Sequence, residues 1–196
     1  CTAGLALLFP AHWDLDKLSE GSNVYFFPQQ WGKVIDHAES AEGGLTTVTQ
    51  SADGLLTLLT NGKFQGNNTE QGEMIAQKSI ALIPLLHTAQ RDTALVIGYG
   101  TGMTPRVIHE NEFRSLDIAE LSEDMVRLAD RHFENINHAV TSQPGVNTYY
   151  TDGRNFLLTQ SKEYDLISIE ISSIWFAGAA NLYNKEFYEL VARRLT

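Results

Sequence analysis

The chain carries little with which to hold a metal or a nucleic acid. Cys1 is its single cysteine, so a disulfide framework and a cysteine-based metal site are both excluded, while a reducing compartment is permitted. The six histidines lie far apart and form no ligand pair at helical spacing; each reads as surface or core filler, and no metal is predicted. Cations are scarce as well. Fourteen Lys and Arg against 24 Asp and Glu give a formal net charge of −10, and the cations are spread singly from Lys17 to Arg194, with only Arg193 and Arg194 adjacent. Phosphate contact needs clustered cations, so a nucleic-acid substrate is not expected. Long-range attraction makes an amine the better match for an acidic protein. Repeats and low-complexity segments are absent. The apolar opening Cys1–Phe9 is too short to span a bilayer and lacks the basic start of a signal peptide; it reads as the stub after a membrane helix or as a packing segment.

What is present is enough apolar residue, 43% of 196, for one domain with a small appendage. The expected division is an N-terminal segment over 1–21, a β-hairpin appendage over 22–66 and a main domain over 67–196. Val24–Phe27, Lys33–His37, Leu45–Thr49 and Leu55–Thr60 are short β-prone runs punctuated by Pro28, Gly43-Gly44 and Asp53-Gly54, which predicts antiparallel hairpins. Asn61-Gly62 closes the last of them as a type I′ turn. Thr69 is the expected cap of a helix reaching about His87, with Ile75, Ile80, Leu82, Ile83 and Leu86 on its buried face and Pro84 able to end it early.

From Arg91 onward strands and helices alternate with short links, which predicts a parallel, doubly wound sheet. The organising stretch is Ala94-Leu-Val-Ile-Gly-Tyr-Gly-Thr-Gly-Met103, written as a buried strand, a glycine turn and a helix start. Glycines there allow left-handed backbone or close ligand approach, and the following helix offers unpaired N–H groups; a purely structural turn would be written the same way. The next strand, Ser115–Glu120, ends in an acid able to accept hydrogen bonds from both hydroxyls of a ribose. Ser122 caps the helix after it, whose inward stripe is Met125, Leu128, Ala129 and Phe133. A third strand ends at Asp152-Gly153, a fourth at Glu170, and Asn184 caps a last helix. Ligands of such sheets sit at the carboxyl ends of the strands, where these four strands carry glycines or an acid. The sheet is expected to be truncated after its fourth strand.

At these residues the chain resembles the spermidine synthases, or aminopropyltransferases, built on the Rossmann-like fold of S-adenosylmethionine-dependent methyltransferases. The likeness runs from about Val24 and rests on Asn61-Gly-Lys-Phe-Gln65, Glu70-Gln-Gly-Glu-Met74, the glycine loop, Glu120, Asp152-Gly153 and Tyr164-Asp165 leading to an acid. Ala11-His-Trp-Asp14 and the run from Glu170 to Tyr183 are similar to bacterial spermidine synthase-like proteins fused to a membrane, transporter-like domain. The resemblance implies that Gly98, Tyr99, Gly100, Thr101 and Gly102 wrap a thionucleoside and that Glu120, with Leu121 beside it, holds the ribose. Asp152 and Gly153 then meet the adenine, Gln65 lies near the pocket mouth and Glu170 is the catalytic carboxylate. It departs from the family at Thr101, where the family has an aspartate, after Glu170, where Ser173 and Ile174 follow and a second acid is missing, and at Gln71 or Gly72, depending on alignment, where the family has a tyrosine. The implied co-substrate is decarboxylated S-adenosylmethionine, with methylthioadenosine as product and no metal. Methyl transfer from S-adenosylmethionine and a non-catalytic nucleoside- or polyamine-sensing domain are the alternatives. Expected partners are a small amine acceptor, a membrane domain of the same parent chain and a second copy; the expected location is the cytoplasm, tethered to the inner membrane.

Overall fold

The computed structural model describes residues 13–171 and 179–196. The chain enters through two short helical turns, α1 (Leu15–Ser19) and α2 (Ser22–Tyr25), and a four-stranded antiparallel sheet of β1 (Lys33–Ser40), β2 (Gly44–Gln50), β3 (Leu56–Thr60) and β4 (Lys63–Asn67), paired in that order. The predicted strand over Val24–Phe27 does not form. Gly21 enters α2 and Phe26 leaves it in left-handed conformations (φ 69° and 65°), and Tyr25 is used for packing: its ring meets Trp31 and its hydroxyl accepts the Phe64 N–H at 3.0 Å. The Asn61-Gly62 turn has positive φ at both residues (51° and 76°), as type I′ geometry requires.

Next comes α3 (Glu73–Leu85), capped at Gly72 and so beginning three residues later than expected. Thr69 does not cap it: the Thr69 carbonyl instead accepts the N–H groups of Gly72 and Met74 in a preceding turn. Its face is also rotated from the predicted one. Gln77, Ala81 and Leu85 are buried, while Ile75, Leu82, Ile83 and Leu86 stand exposed and Ile80 is intermediate. The small Ala81 and a hydrogen-bonded Gln77 fit close against the next helix, so the buried face is set by the neighbour and not by the apolar stripe alone.

The remainder alternates β5 (Thr93–Ile97), α4 (Met103–Glu110), β6 (Ser115–Glu120), α5 (Glu123–His132), α6 (Glu134–Asn137), β7 (Val146–Tyr150), α7 (Gly153–Thr159), β8 (Leu166–Ile169) and α8 (Lys185–Ala192). The four strands are parallel in the order β7-β6-β5-β8, and the order reverses beside β5. Both faces of the sheet are covered. Ala94 and Val96 of β5 pack with α3, α4 and α5, whereas Leu95 and Ile97 pack with α7 and α8, which is why β5 reads as an unbroken apolar run. The predicted caps form: Ser122 Oγ accepts the Met125 N–H at 3.2 Å, and Asn184 Oδ1 accepts the Phe187 N–H at 2.9 Å. Leu195 makes a parallel bridge with Tyr164 beside β8. At the amino end of the sheet the buried Asp117 is fully partnered, by Lys162 Nζ at 2.8 Å, the Tyr164 hydroxyl at 2.9 Å and Asn147 Nδ2 at 2.9 Å. No described helix is long and apolar enough to cross a membrane.

The antiparallel sheet is fastened to the main domain in two ways. Val48 and Leu58 join the same apolar cluster as α5, and beyond a bulge in β1 between Val34 and Asp36, Asp36 Oδ2 meets His132 Nε2 at 2.7 Å and Arg131 at 2.8 Å. The hydrogen bond from His132, helped by Arg131, holds the Asp36 carboxyl down at about 2 against an ordinary 3.8. A carboxylate with a depressed pKa stabilises the fold above its unfolded value and loses that contribution as pH falls through the folded one. Asp36→Ala is expected to cost about 1 kcal/mol at pH 7, given the partial exposure of the pair. The difference from wild type should shrink between about pH 4 and pH 2, as measured by urea denaturation at each pH.

Candidate active site

The carboxyl ends of β5, β6, β7 and β8 open into one cavity of about 410 Å³, roofed by the β1–β2 turn, β4 and α3. Of the residues expected there, Gly98, Tyr99, Gly100, Glu120, Leu121, Asp152, Gly153, Gln65 and Glu170 all line it. Thr101 and Gly102 do not: they stand one layer behind. Thr101 is fully buried, and Gly102, in left-handed conformation (φ 84°), precedes α4 where an added β-carbon would lie 2.6 Å from Asn137 and 2.7 Å from the Tyr99 hydroxyl. Glycine at 102 is therefore a packing requirement as well as a turn requirement. Asn137 ties the loop down from behind, donating to the carbonyls of Thr101 and Ala129, and the buried Tyr99 hydroxyl bonds Asp130.

Glu120 is buried where the loop meets the end of β6. Its Oε2 accepts the Tyr99 N–H and its Oε1 the Ser122 N–H, both at 2.9 Å. Burial raises its pKa, and these amides, with that of Leu121, act in the opposite direction. Each oxygen keeps one lone pair, so two hydroxyls of a ribose can each donate to one oxygen. Asp152 caps α7 by accepting the Asn155 N–H at 2.8 Å, and Gly153 sits so close to Ile97 that a β-carbon would lie 2.3 Å from it. Leu121 is half exposed and supplies an apolar rim.

Glu170 lies against the glycine loop. Oε1 is 2.9 Å from the Thr104 hydroxyl, while Oε2 is shut off from solvent without a hydrogen-bond partner among the described residues. Desolvation, opposed by Thr104 and reinforced by the negative charges of Glu120 and Glu73, pushes its pKa up to about 8. A carboxyl with this pKa is mostly protonated at pH 7.

Sequence reasoning missed Glu42, Glu73, Gln77 and Thr104. Glu42 lies on the β1–β2 turn, and Glu73, in the first turn of α3, lines the cavity beside Gln77. The one signal within reach was the spacing of Glu73 and Gln77, one helical turn apart and so on one face. Five carboxylates (Glu42, Glu73, Glu120, Asp152 and Glu170) face a single lysine, Lys63, among the described lining residues, and burial lowers the pKa of that lysine. Such a cavity selects a cationic ligand. The Cys1–Phe9 stub, Ala11 and His12, and residues 172–178 of the run from Glu170 to Tyr183, with the position of the missing second acid among them, lie outside the described residues. No group of three or more His, Cys, Asp or Glu with metal-binding geometry occurs among the described residues.

A profile of the spermine/spermidine synthase domain matches residues 73–196. Polyamine aminopropyltransferase of Alkaliphilus oremlandii is 32% identical over 121 residues, 61% of this chain and 42% of that protein. Spermidine synthase 2 of Arabidopsis thaliana is 32% identical over 150 residues, 76% of this chain and 43% of that protein. The chain thus spans less than half the length of these relatives. Among solved structures, spermidine synthase from Thermotoga maritima aligns with a TM-score of 0.72 at 19% identity, over 84% of this chain and 54% of that one. A spermidine synthase bound to the transition-state analogue AdoDATO aligns with a TM-score of 0.74 at 18% identity, over 84% and 55%. At these identities the structural likeness concerns the fold.

The two backbone amides on Glu120 yield a sharp expectation. Glu120→Gln would turn its amide nitrogen onto one of them, N–H against N–H, so it should weaken binding of an adenine nucleoside by about 2 kcal/mol, roughly thirtyfold. Calorimetric titration with methylthioadenosine measures this, and an unchanged affinity would remove the ribose assignment.

Proposed function

Because the chain belongs to the spermine/spermidine synthase family, we propose that it moves an aminopropyl group from decarboxylated S-adenosylmethionine to a small amine in polyamine biosynthesis, releasing methylthioadenosine. The observation that carries this reading is the carboxylate lining of the cavity, with the unpartnered Oε2 of Glu170 at the end of the nucleoside groove. Asp152 and Leu121 take the adenine, Glu120 the ribose, and the Gly98–Gly100 backbone lies along the sugar and sulfur.

The acceptor nitrogen attacks the carbon next to the sulfonium. The carbon–sulfur bond breaks with both electrons going to sulfur, which becomes a neutral thioether, and the new carbon–nitrogen bond leaves the product nitrogen as an ammonium. Attack needs a lone pair on the acceptor nitrogen, so Glu170 in its ionised form takes one proton from the acceptor's ammonium beforehand. Its raised pKa suits the task. The carboxyl is neutral before the donor binds, and a bound sulfonium supplies the positive charge that ionises it. No metal is required for departure of a leaving group that already carries positive charge. Alignment of two reactants in one cavity supplies much of the rate.

Methyl transfer from S-adenosylmethionine fits less well, since that donor would bring its own carboxylate towards Glu73 and Glu170. A purely sensing domain would not need a proton acceptor at Glu170. The family resemblance at Ala11–Asp14 and Glu170–Tyr183 further supports a cytoplasmic unit tethered to a membrane domain of its own parent chain. Pairing as a homodimer would cover exposed apolar residues such as Leu82, Ile83 and Leu86.

Two outcomes are expected. Glu170→Gln abolishes aminopropyl transfer while methylthioadenosine still binds, as followed by product chromatography and calorimetry; an undiminished rate would sink Glu170 as base. At pH 7, binding of decarboxylated S-adenosylmethionine releases about one proton from Glu170. This is read from the dependence of binding enthalpy on buffer ionisation, and it should vanish in Glu170→Gln.

A further inference from the structure

Two carboxylates of the cavity, Glu42 and Glu73, have no part in the mechanism so far. Glu73 stands on the first turn of α3, and its Oε1 accepts a hydrogen bond from Gln77 Nε2 at 3.0 Å, one turn further on. Gln77 Oε1 in turn accepts from the Thr101 hydroxyl at 2.6 Å. Both Gln77 and Thr101 are buried. The direction of this chain is fixed by chemistry. The Thr101 hydroxyl can donate or accept, but the Glu73 carboxylate only accepts, so the Gln77 NH2 must face Glu73 and its oxygen is left to accept from Thr101. Gly66 of β4 closes over the pair, where a β-carbon would lie 2.7 Å from Gln77 Nε2 and 2.8 Å from Thr101 Cγ2. A carboxylate is thereby moored to the glycine loop although the loop contains no acid.

Its place along the cavity matters. Strand order sets Asp152, Glu120, the glycine loop and Glu170 side by side across β7-β6-β5-β8, and α3 packs on β8 and α4. Glu73 is therefore at the end opposite Asp152. A nucleoside with its base at Asp152 and its ribose at Glu120 directs its 5′ substituent towards Glu170 and Glu73, past the apolar side chain of Ile80. Only one of the two Glu73 oxygens holds Gln77, which leaves the other for a ligand.

We propose that Glu73, positioned by Gln77 and Thr101, binds the primary ammonium at the end of the donor's alkyl arm. The proposal rests on the aminopropyl-transfer reading, and it assigns separate carboxylates to the two amines of the reaction: Glu73 to the donor's ammonium and Glu170 to the attacking nitrogen. Charge and reach both fit. A short alkyl arm on the sulfur ends in a cation, and Glu73 offers a charge-assisted hydrogen bond at the far wall.

The test compares wild type with Glu73→Gln by calorimetric titration with two ligands. Decarboxylated S-adenosylmethionine carries the ammonium, whereas methylthioadenosine has the same thionucleoside without it and so reports the integrity of the rest of the pocket. Glu73→Gln should weaken the first on the order of tenfold or more and leave the second within about twofold. Equal loss for both ligands would make Glu73 a structural residue, and no loss for either would remove it from the site; each overturns the proposal. If wild type binds neither ligand, the aminopropyl-transfer reading itself fails, a result distinguishable from the other two.

Discussion

The pocket depends on a carboxylate held inside the protein by backbone amides. Glu120 costs desolvation energy to bury, and the N–H groups of Tyr99 and Ser122 offset it from two directions. Those amides belong to the turn after β5 and to the cap of α5, so a single side chain fixes the spacing between two strand ends and the start of a helix. The loop is then clamped from behind by Asn137 and by the Tyr99–Asp130 pair. A ligand meets a surface whose shape is already set. Little ordering of the loop remains to be done on binding, which is where preorganisation gains affinity.

Buried acids are treated in opposite ways at the two ends of the same sheet. Asp117, at the amino end, has Lys162, Tyr164 and Asn147 around it. Glu170, at the carboxyl end, has the Thr104 hydroxyl on one oxygen and no described partner on the other. The first arrangement locks strands together; the second keeps an ionisation in reserve for a charge that arrives with the ligand. The difference lies in the supply of partners, since both carboxylates are shielded from water.

Much of this was legible in the chain itself. The parallel sheet, the glycine turn, the acids at strand ends and the caps at Ser122 and Asn184 follow from local patterns, because each is specified within a few residues. Three things were not. Val24–Phe27 has strand composition, yet Tyr25 is drawn into contact with Trp31 and Phe64. The apolar stripe of α3 predicts a buried face, but the face that is buried is the one where Ala81 permits close approach and Gln77 finds a partner. Glu42 and Glu73 reach the cavity from a turn and a helix whose placement depends on tertiary packing. Periodicity states which residues would gain from burial. Which of them obtain it is decided by neighbours distant in sequence.

The hydrogen-bonded chain from Thr101 through Gln77 to Glu73 bears on how such sites change over evolutionary time. Its members come from a loop and from a helix twenty-four or more positions upstream, yet they form one physical unit, since replacing the middle member leaves two buried or half-buried groups without a partner. A lineage free to vary the three together could move a charge from one segment of the sequence to another while keeping it at nearly the same point in space. Descent would then be traced more faithfully by covariation among positions 73, 77 and 101 than by the letters of the loop read alone.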